Sequence, residues 1–109
     1  MSTNRSTQLY KRALEKIPGG VNSPVRAWKA VGGAPKFIGR GRGSRIIDAD
    51  GKQYIDFVGS WGPLILGHAN GNILRSLEQV AKKGTTFGAP TEREVKLAET
   101  VCRLVPSIQ

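Results

Sequence analysis

Between Ser6 and Ile17 the apolar residues Leu9, Tyr10, Ala13, Leu14 and Ile17 recur at helical spacing, with Lys11, Arg12, Glu15 and Lys16 between them. The pattern predicts an amphipathic helix over 6–17, stopped by Pro18 and the Gly19–Gly20 pair. Periodicity is then lost, and Pro24, Gly32, Gly33 and Pro35 punctuate a loop and linker over 18–35. The next stretch, 36–58, reads as a small antiparallel sheet. Lys36 to Ile38 is a short extended run, and Arg45 to Asp48 and Tyr54 to Val58 are β-prone runs joined by Ala49-Asp50-Gly51-Lys52, where Asp-Gly is a strong hairpin signal. Within this stretch Gly39-Arg-Gly-Arg-Gly43 reads as a flexible loop. Residues 59–70 hold Gly-Ser-Trp-Gly-Pro before three aliphatics, too broken by Gly and Pro for a regular element, so a second shaped loop is expected.

Two helices are predicted over 71–106. Ile73, Leu74, Leu77, Val80 and Ala81 line one face of the first, with Asn70 or Asn72 as its cap and Gly84 near its end. Thr91 and Glu94 form a capping-box pattern ahead of Val95, Ala98, Val101, Cys102 and Val105, and Pro106 closes the second. The expected class is α/β: helix, small antiparallel sheet, two helices. No internal repeat interrupts that order.

At 109 residues the chain is one ordinary domain at most, able to bury somewhat under about 70% of its unfolded surface. The single cysteine, Cys102, excludes an internal disulfide and fits a reducing compartment. There is no apolar run of the roughly 18 residues that a membrane span needs, and Met-Ser-Thr-Asn-Arg is not followed by an apolar signal core. The expectation is a soluble, cytoplasmic protein.

The net charge of +9 invites a nucleic-acid reading, so its distribution matters. Residues 1–45 carry ten Lys and Arg against the single acid Glu15, whereas 46–109 carry seven of each sign. All the excess is in the front part. A basic arm for RNA would look like this, and so would a segment whose acidic partners lie elsewhere in the protein or on another subunit.

The sharpest chemical candidate lies in Ile17-Pro-Gly-Gly-Val-Asn-Ser-Pro-Val-Arg26. Two prolines fix φ and two glycines permit positive φ, giving a shaped loop that ends in a hydroxyl and a guanidinium three residues apart. Ser23 with Arg26 suits a carboxylate or phosphate. The competing reading is a surface arginine near a turn serine, and local sequence alone favours it, because structural arginines far outnumber ligand-binding ones.

Trp61, flanked by Ser60 and Gly62, has small neighbours that leave its indole free to stack on a planar ligand or wall a pocket; a core tryptophan under a loop is an equal alternative. Trp28 reads as packing. His68 has no second histidine and no acid at metal-ligand spacing, so a hydrogen-bonded structural role is the better reading and no metal site is expected. Cys102 reads as a small hydrophobe on a helix face. Asp48 and Asp50 do not fit a calcium loop and belong to the hairpin turn. The Gly-Arg run is neither a dinucleotide fingerprint nor a phosphate-binding Walker loop.

With these pieces placed, the chain resembles the amino-terminal part of the glutamate-1-semialdehyde 2,1-aminomutases, pyridoxal-phosphate enzymes of fold type I related to the class III aminotransferases. The resemblance rests on Ile17 to Arg26, Asp50-Gly-Lys-Gln-Tyr-Ile-Asp-Phe-Val-Gly-Ser-Trp-Gly-Pro63, Leu66-Gly-His68, Phe87-Gly-Ala-Pro-Thr91 and Glu99 to Ile108. The Tyr-Ile-Asp-Phe and Gly-His segments are similar to many class III aminotransferases; the Pro-Gly-Gly-Val-Asn-Ser-Pro-Val-Arg and Gly-Ser-Trp-Gly-Pro segments resemble the aminomutases in particular. One departure is Ala69-Asn70-Gly71, where the family usually continues as Ala-His-Pro.

The resemblance implies an isomerase that converts glutamate 1-semialdehyde to 5-aminolevulinate, the tetrapyrrole precursor, by exchanging an amino group through pyridoxal phosphate. It also implies a homodimer acting on a small molecule, without nucleic-acid or membrane partners. Arg26 would pin the substrate carboxylate, Ser23 would assist it, and Trp61 would wall the pocket. The cofactor lysine and the rest of the cofactor site would lie beyond Gln109, in a large domain. No catalytic or cofactor-binding residue is therefore expected among these 109, and the segment alone is expected to be inactive and poorly stable. Two other readings remain at this point: a small RNA-binding module built on 1–45, and another class III aminotransferase.

Overall fold

The computed structural model describes residues 4–108, which fall into two compact units, one running to Leu74 and the other starting at Arg75. In the first unit, helix α1 spans Arg5–Leu14 and is capped by Asn4, whose side-chain oxygen accepts the Thr7 N–H at 2.9 Å. The helix ends three residues earlier than its apolar spacing predicts. Ile17 precedes Pro18, whose ring disfavours helical geometry at the residue before it, and Ile17 is extended at φ −124° and ψ 127°. The shaped loop that follows contains two short 3₁₀ turns, Pro18–Gly20 and Pro24–Ala27. Gly20, at φ 71°, is buried against α1: a Cβ there would stand 2.6 Å from the Tyr10 ring.

Three short strands form an antiparallel meander, β1 (Ile38–Arg42), β2 (Arg45–Asp48) and β3 (Gln53–Ile55), in the order β1-β2-β3. Arg42 faces Arg45 and Gly41 faces Ile46 across the first pair; Ile46 faces Tyr54 across the second. The Gly-Arg run expected to be a flexible loop is therefore most of strand β1, with an irregularity in register between Ile38 and Arg40. Its glycine has a reason to be there. The His68 ring packs on Gly41 so closely that a Cβ would lie 2.5 Å from Cγ, and a bridge of two 2.8 Å hydrogen bonds joins Gly43 to His68. Strand β3 stops at Ile55, short of the predicted Val58, because Asp56 starts a turn by accepting the Val58 and Gly59 N–H groups.

Little is buried in this unit. Beside Gly20 and Pro35, the buried residues are Ala27, 8% exposed, and the polar Ser6 and Asp48. What holds α1 to the sheet is correspondingly polar. The Asp50 carboxylate accepts the Arg5 N–H at 2.5 Å and the Ser6 N–H at 3.1 Å, satisfying first-turn amides that an α-helix leaves without partners.

Helix α2 (Gly71–Ala81) begins at the end of the first unit and continues into the second, which holds α3 (Glu92–Leu104). Asn70 caps α2, its Oδ1 accepting the Asn72 and Ile73 N–H groups at 3.0 and 3.3 Å. Thr91 precedes α3, and its N–H donates to the Glu94 carboxylate at 3.0 Å. Neither helix buries a residue: Leu77 and Val95 on the predicted apolar faces are more than half exposed, and Cys102, expected on such a face, is exposed as well.

Candidate functional site

The first shaped loop is built for rigidity. Ser23 stands at φ −145° before Pro24, and the Arg26 N–H closes a 3₁₀ turn on the Ser23 carbonyl at 2.9 Å. Three residues per turn stacks positions three apart, so Ser23 and Arg26 belong to one side of this turn. The Ser23 hydroxyl makes no capping hydrogen bond, and the Arg26 residue is exposed. Trp28 then takes a left-handed conformation at φ 59°, its carbonyl accepting the Val31 and Gly32 N–H groups. It lines a hollow with Lys36, Ile38, Ile46 and Tyr54 and is exposed, where the sequence predicts packing.

The second shaped loop carries Trp61. Gly59, Ser60 and Trp61 are all left-handed, at φ 54°, 55° and 67°, and the indole-bearing residue is 70% exposed. The turn is closed by hydrogen bonds from the Trp61 N–H to the Val58 carbonyl and from the Gly62 and Leu64 N–H groups to the Gly59 carbonyl, at 3.0–3.2 Å.

Asp56 lies at the base of this loop. Its Oδ1 accepts the Val58 and Gly59 amides at 2.9 and 3.1 Å, and its Oδ2 lies 2.6 Å from His68 Nε2. The His68 contact, then the two amides, hold its carboxyl below the ordinary carboxylate range. His68 is thus a hydrogen-bonded histidine, and the partner is one its local spacing does not reveal.

The hairpin contains a second network absent from the sequence reading. Asp48 accepts the Asp50 and Lys52 amides on one oxygen and the Tyr54 hydroxyl, at 2.7 Å, on the other. These bonds lower the Asp48 carboxyl and raise the Tyr54 phenol. Asp50 is lowered by its contacts to Ser6 and Arg5. Both aspartates therefore serve the turn and the start of α1, and among the described residues no group of three or more His, Cys, Asp or Glu could hold a metal ion.

The hollows beside the two shaped loops are not lined by the three sequence candidates. A hollow of about 550 Å³ beside the first loop is lined by residues including Pro18, Asn22 and Pro24, and by neither Ser23 nor Arg26. Another of about 330 Å³ beside the second loop is lined by Asp56, Leu64, Ile65 and His68 but not by Trp61. A further hollow, between the end of α2 and the start of α3, is lined by residues including Lys83 and Lys96. Lys96 is paired with Glu92 at 2.6 Å and the Glu94 carboxylate sits on the Thr91 amide, so carboxylates stand where the phosphate of a pyridoxal cofactor would need unopposed donors, and this hollow does not fit it.

Comparison with known proteins places these loops in context. Residues 29–108 match the model of the class-III aminotransferases. Glutamate-1-semialdehyde 2,1-aminomutase 2 of Brevibacillus brevis is 59% identical over all 109 residues, which correspond to 25% of its length. The crystal structure of an omega-transaminase from Sphaerobacter thermophilus superposes with a TM-score of 0.87 at 38% identity, over 97% of this chain and 24% of that one. A transaminase with pyridoxal phosphate bound superposes at 0.82 and 37% identity, over 94% and 24%. The chain thus spans about a quarter of the length of the proteins it matches. The superpositions and the family match agree, and the chain belongs to the class-III aminotransferases.

Proposed function

We propose that this chain is the substrate-carboxylate segment of a glutamate-1-semialdehyde 2,1-aminomutase, an isomerase that makes 5-aminolevulinate for tetrapyrrole synthesis. The observation that carries this reading is the 59% identity to an enzyme of that name across all 109 residues, both shaped loops included. Neither the RNA-binding alternative nor another class III activity has comparable support. The complete enzyme works as a cytoplasmic homodimer on a small molecule, with no nucleic-acid or membrane partner; among the described residues no helix is long and apolar enough to cross a membrane.

Pyridoxal phosphate, held by residues outside this chain, supplies the electron sink and amino-group carrier. This chain positions the substrate. Arg26 pairs with the substrate carboxylate, Ser23 donates its hydroxyl to the same group, and the Trp61 indole walls the space beside it. A carboxylate held at one fixed point would keep the rest of the substrate in a defined orientation, which is the contribution of these residues.

A guanidinium–carboxylate contact contributes about 1.5–3 kcal/mol. In the complete enzyme, Arg26→Ala is therefore expected to raise KM for the aldehyde substrate roughly 10- to 100-fold, with the cofactor absorbance unchanged. An unaltered KM would rule out the carboxylate role.

A further inference from the structure

We infer that Asp56 and His68 are positioning residues that fix the Gly59–Trp61 turn, and with it the orientation of the Trp61 indole. The inference deepens the proposed function and rests on its reading of Trp61 as a pocket wall.

The turn needs an external hold. A left-handed conformation costs a residue with a Cβ about 1–2 kcal/mol, and both Ser60 and Trp61 adopt it directly after Gly59. Burial does not hold the indole, because the residue is 70% exposed. What remains is hydrogen bonding, and the turn's first two free amides, Val58 and Gly59, both end on Asp56 Oδ1. The other oxygen of that carboxylate is taken by His68 Nε2, and the Asp56 side chain is only 8% exposed. Rotating Asp56 to free one partner would release the other two.

His68 is anchored independently of Asp56. Its backbone is bridged to Gly43 in both directions, and its ring lies on Gly41, whose absent Cβ would fall 2.5 Å from Cγ and 2.7 Å from Nδ1. One ring nitrogen therefore faces the aspartate and the other the sheet backbone, an arrangement that suits a brace and leaves neither nitrogen directed at a substrate. The connection runs from the β1 backbone through the imidazole to the carboxylate, then to the two amides that open the Trp61 turn. The glycine at 41, the histidine at 68 and the aspartate at 56 acquire a single purpose in this arrangement.

The test uses the complete enzyme labelled with 5-fluorotryptophan. The fluorine resonances of Trp28 and Trp61 are assigned with Trp28→Phe and Trp61→Phe, and Trp28 serves as the internal control. Asp56→Ala and His68→Ala are expected to shift or broaden the Trp61 resonance while Trp28 stays in place, and His68→Gln, which keeps a donor, is expected to restore Trp61 partly. A Trp61 resonance unmoved in both alanine variants overturns the proposal. So does equal movement of both resonances, or their collapse to unfolded positions, since either outcome means a general structural role. The underlying reading of Trp61 fails separately: Trp61→Ala in the complete enzyme would leave KM unchanged even though the brace responds as expected.

Discussion

At the scale of single residues, absent side chains matter as much as present ones. Gly41 gives up its Cβ to the His68 ring, and Gly67 gives up its own to the Gly43 carbonyl, which would stand 2.7 Å away while φ is +74°. Overpacking of this kind costs about 1–3 kcal/mol. Gly41→Ala should therefore lower the urea midpoint of the chain without changing the slope of the transition. Gly67→Ala should do so more strongly, because backbone, unlike an imidazole, cannot rotate away. Local spacing was enough to single out the loop of Ser23 and Arg26, since Pro and Gly dictate backbone shape within a few residues. It was also enough to read His68 as hydrogen-bonded. Asp56 as its partner was not legible, because that pairing depends on a bridge between Gly43 and His68, 25 positions apart in a chain whose local pattern encodes neither end.

At the scale of elements, the β-hairpin is organised by carboxylates. Asp48, Asp50 and Asp56 all have carboxyl groups held below the ordinary value of 3.8 by hydrogen bonds made only in the folded chain. A depressed carboxyl contributes stability that is fully present above its ordinary range and is lost as pH falls through that range toward the folded value. Thermal melts should accordingly lose midpoint temperature below about pH 4, and Asp48→Asn should blunt that loss. Tyr54 has the opposite sense: its phenol is raised, so its contribution is intact below 10.0 and fades as pH climbs beyond it. The hairpin turn was readable from Asp-Gly. Strand β1 was not, because alternating glycine and arginine has little strand preference of its own, and pairing with β2 together with the His68 ring overrides it.

At the scale of the whole molecule, charge and exposed apolar surface set behaviour in solution. The acids of the first unit's sheet region are occupied by amides, a phenol and an imidazole, while Arg40, Arg42 and Arg45 take part in none of the three ion pairs among the described residues. Helices α2 and α3 add apolar side chains left open, Leu77, Val95 and Leu104 among them. The isolated chain is expected to self-associate, with a sedimentation coefficient that rises with concentration; a concentration-independent monomer with a sharp cooperative melt would contradict this. The bond from Asp50 to the first amides of α1 has a consequence for the order of events in folding. A hairpin whose strands are neighbours in sequence closes in about 1–10 μs, whereas bringing residue 5 to residue 50 requires closing a loop of 45 positions, an entropic cost with no return until Asp50 is already in its turn. The hairpin therefore serves as the template onto which α1 condenses. Asp50→Asn should speed unfolding while leaving the folding rate nearly unchanged, since the first helix in the sequence joins only after the hairpin that follows it.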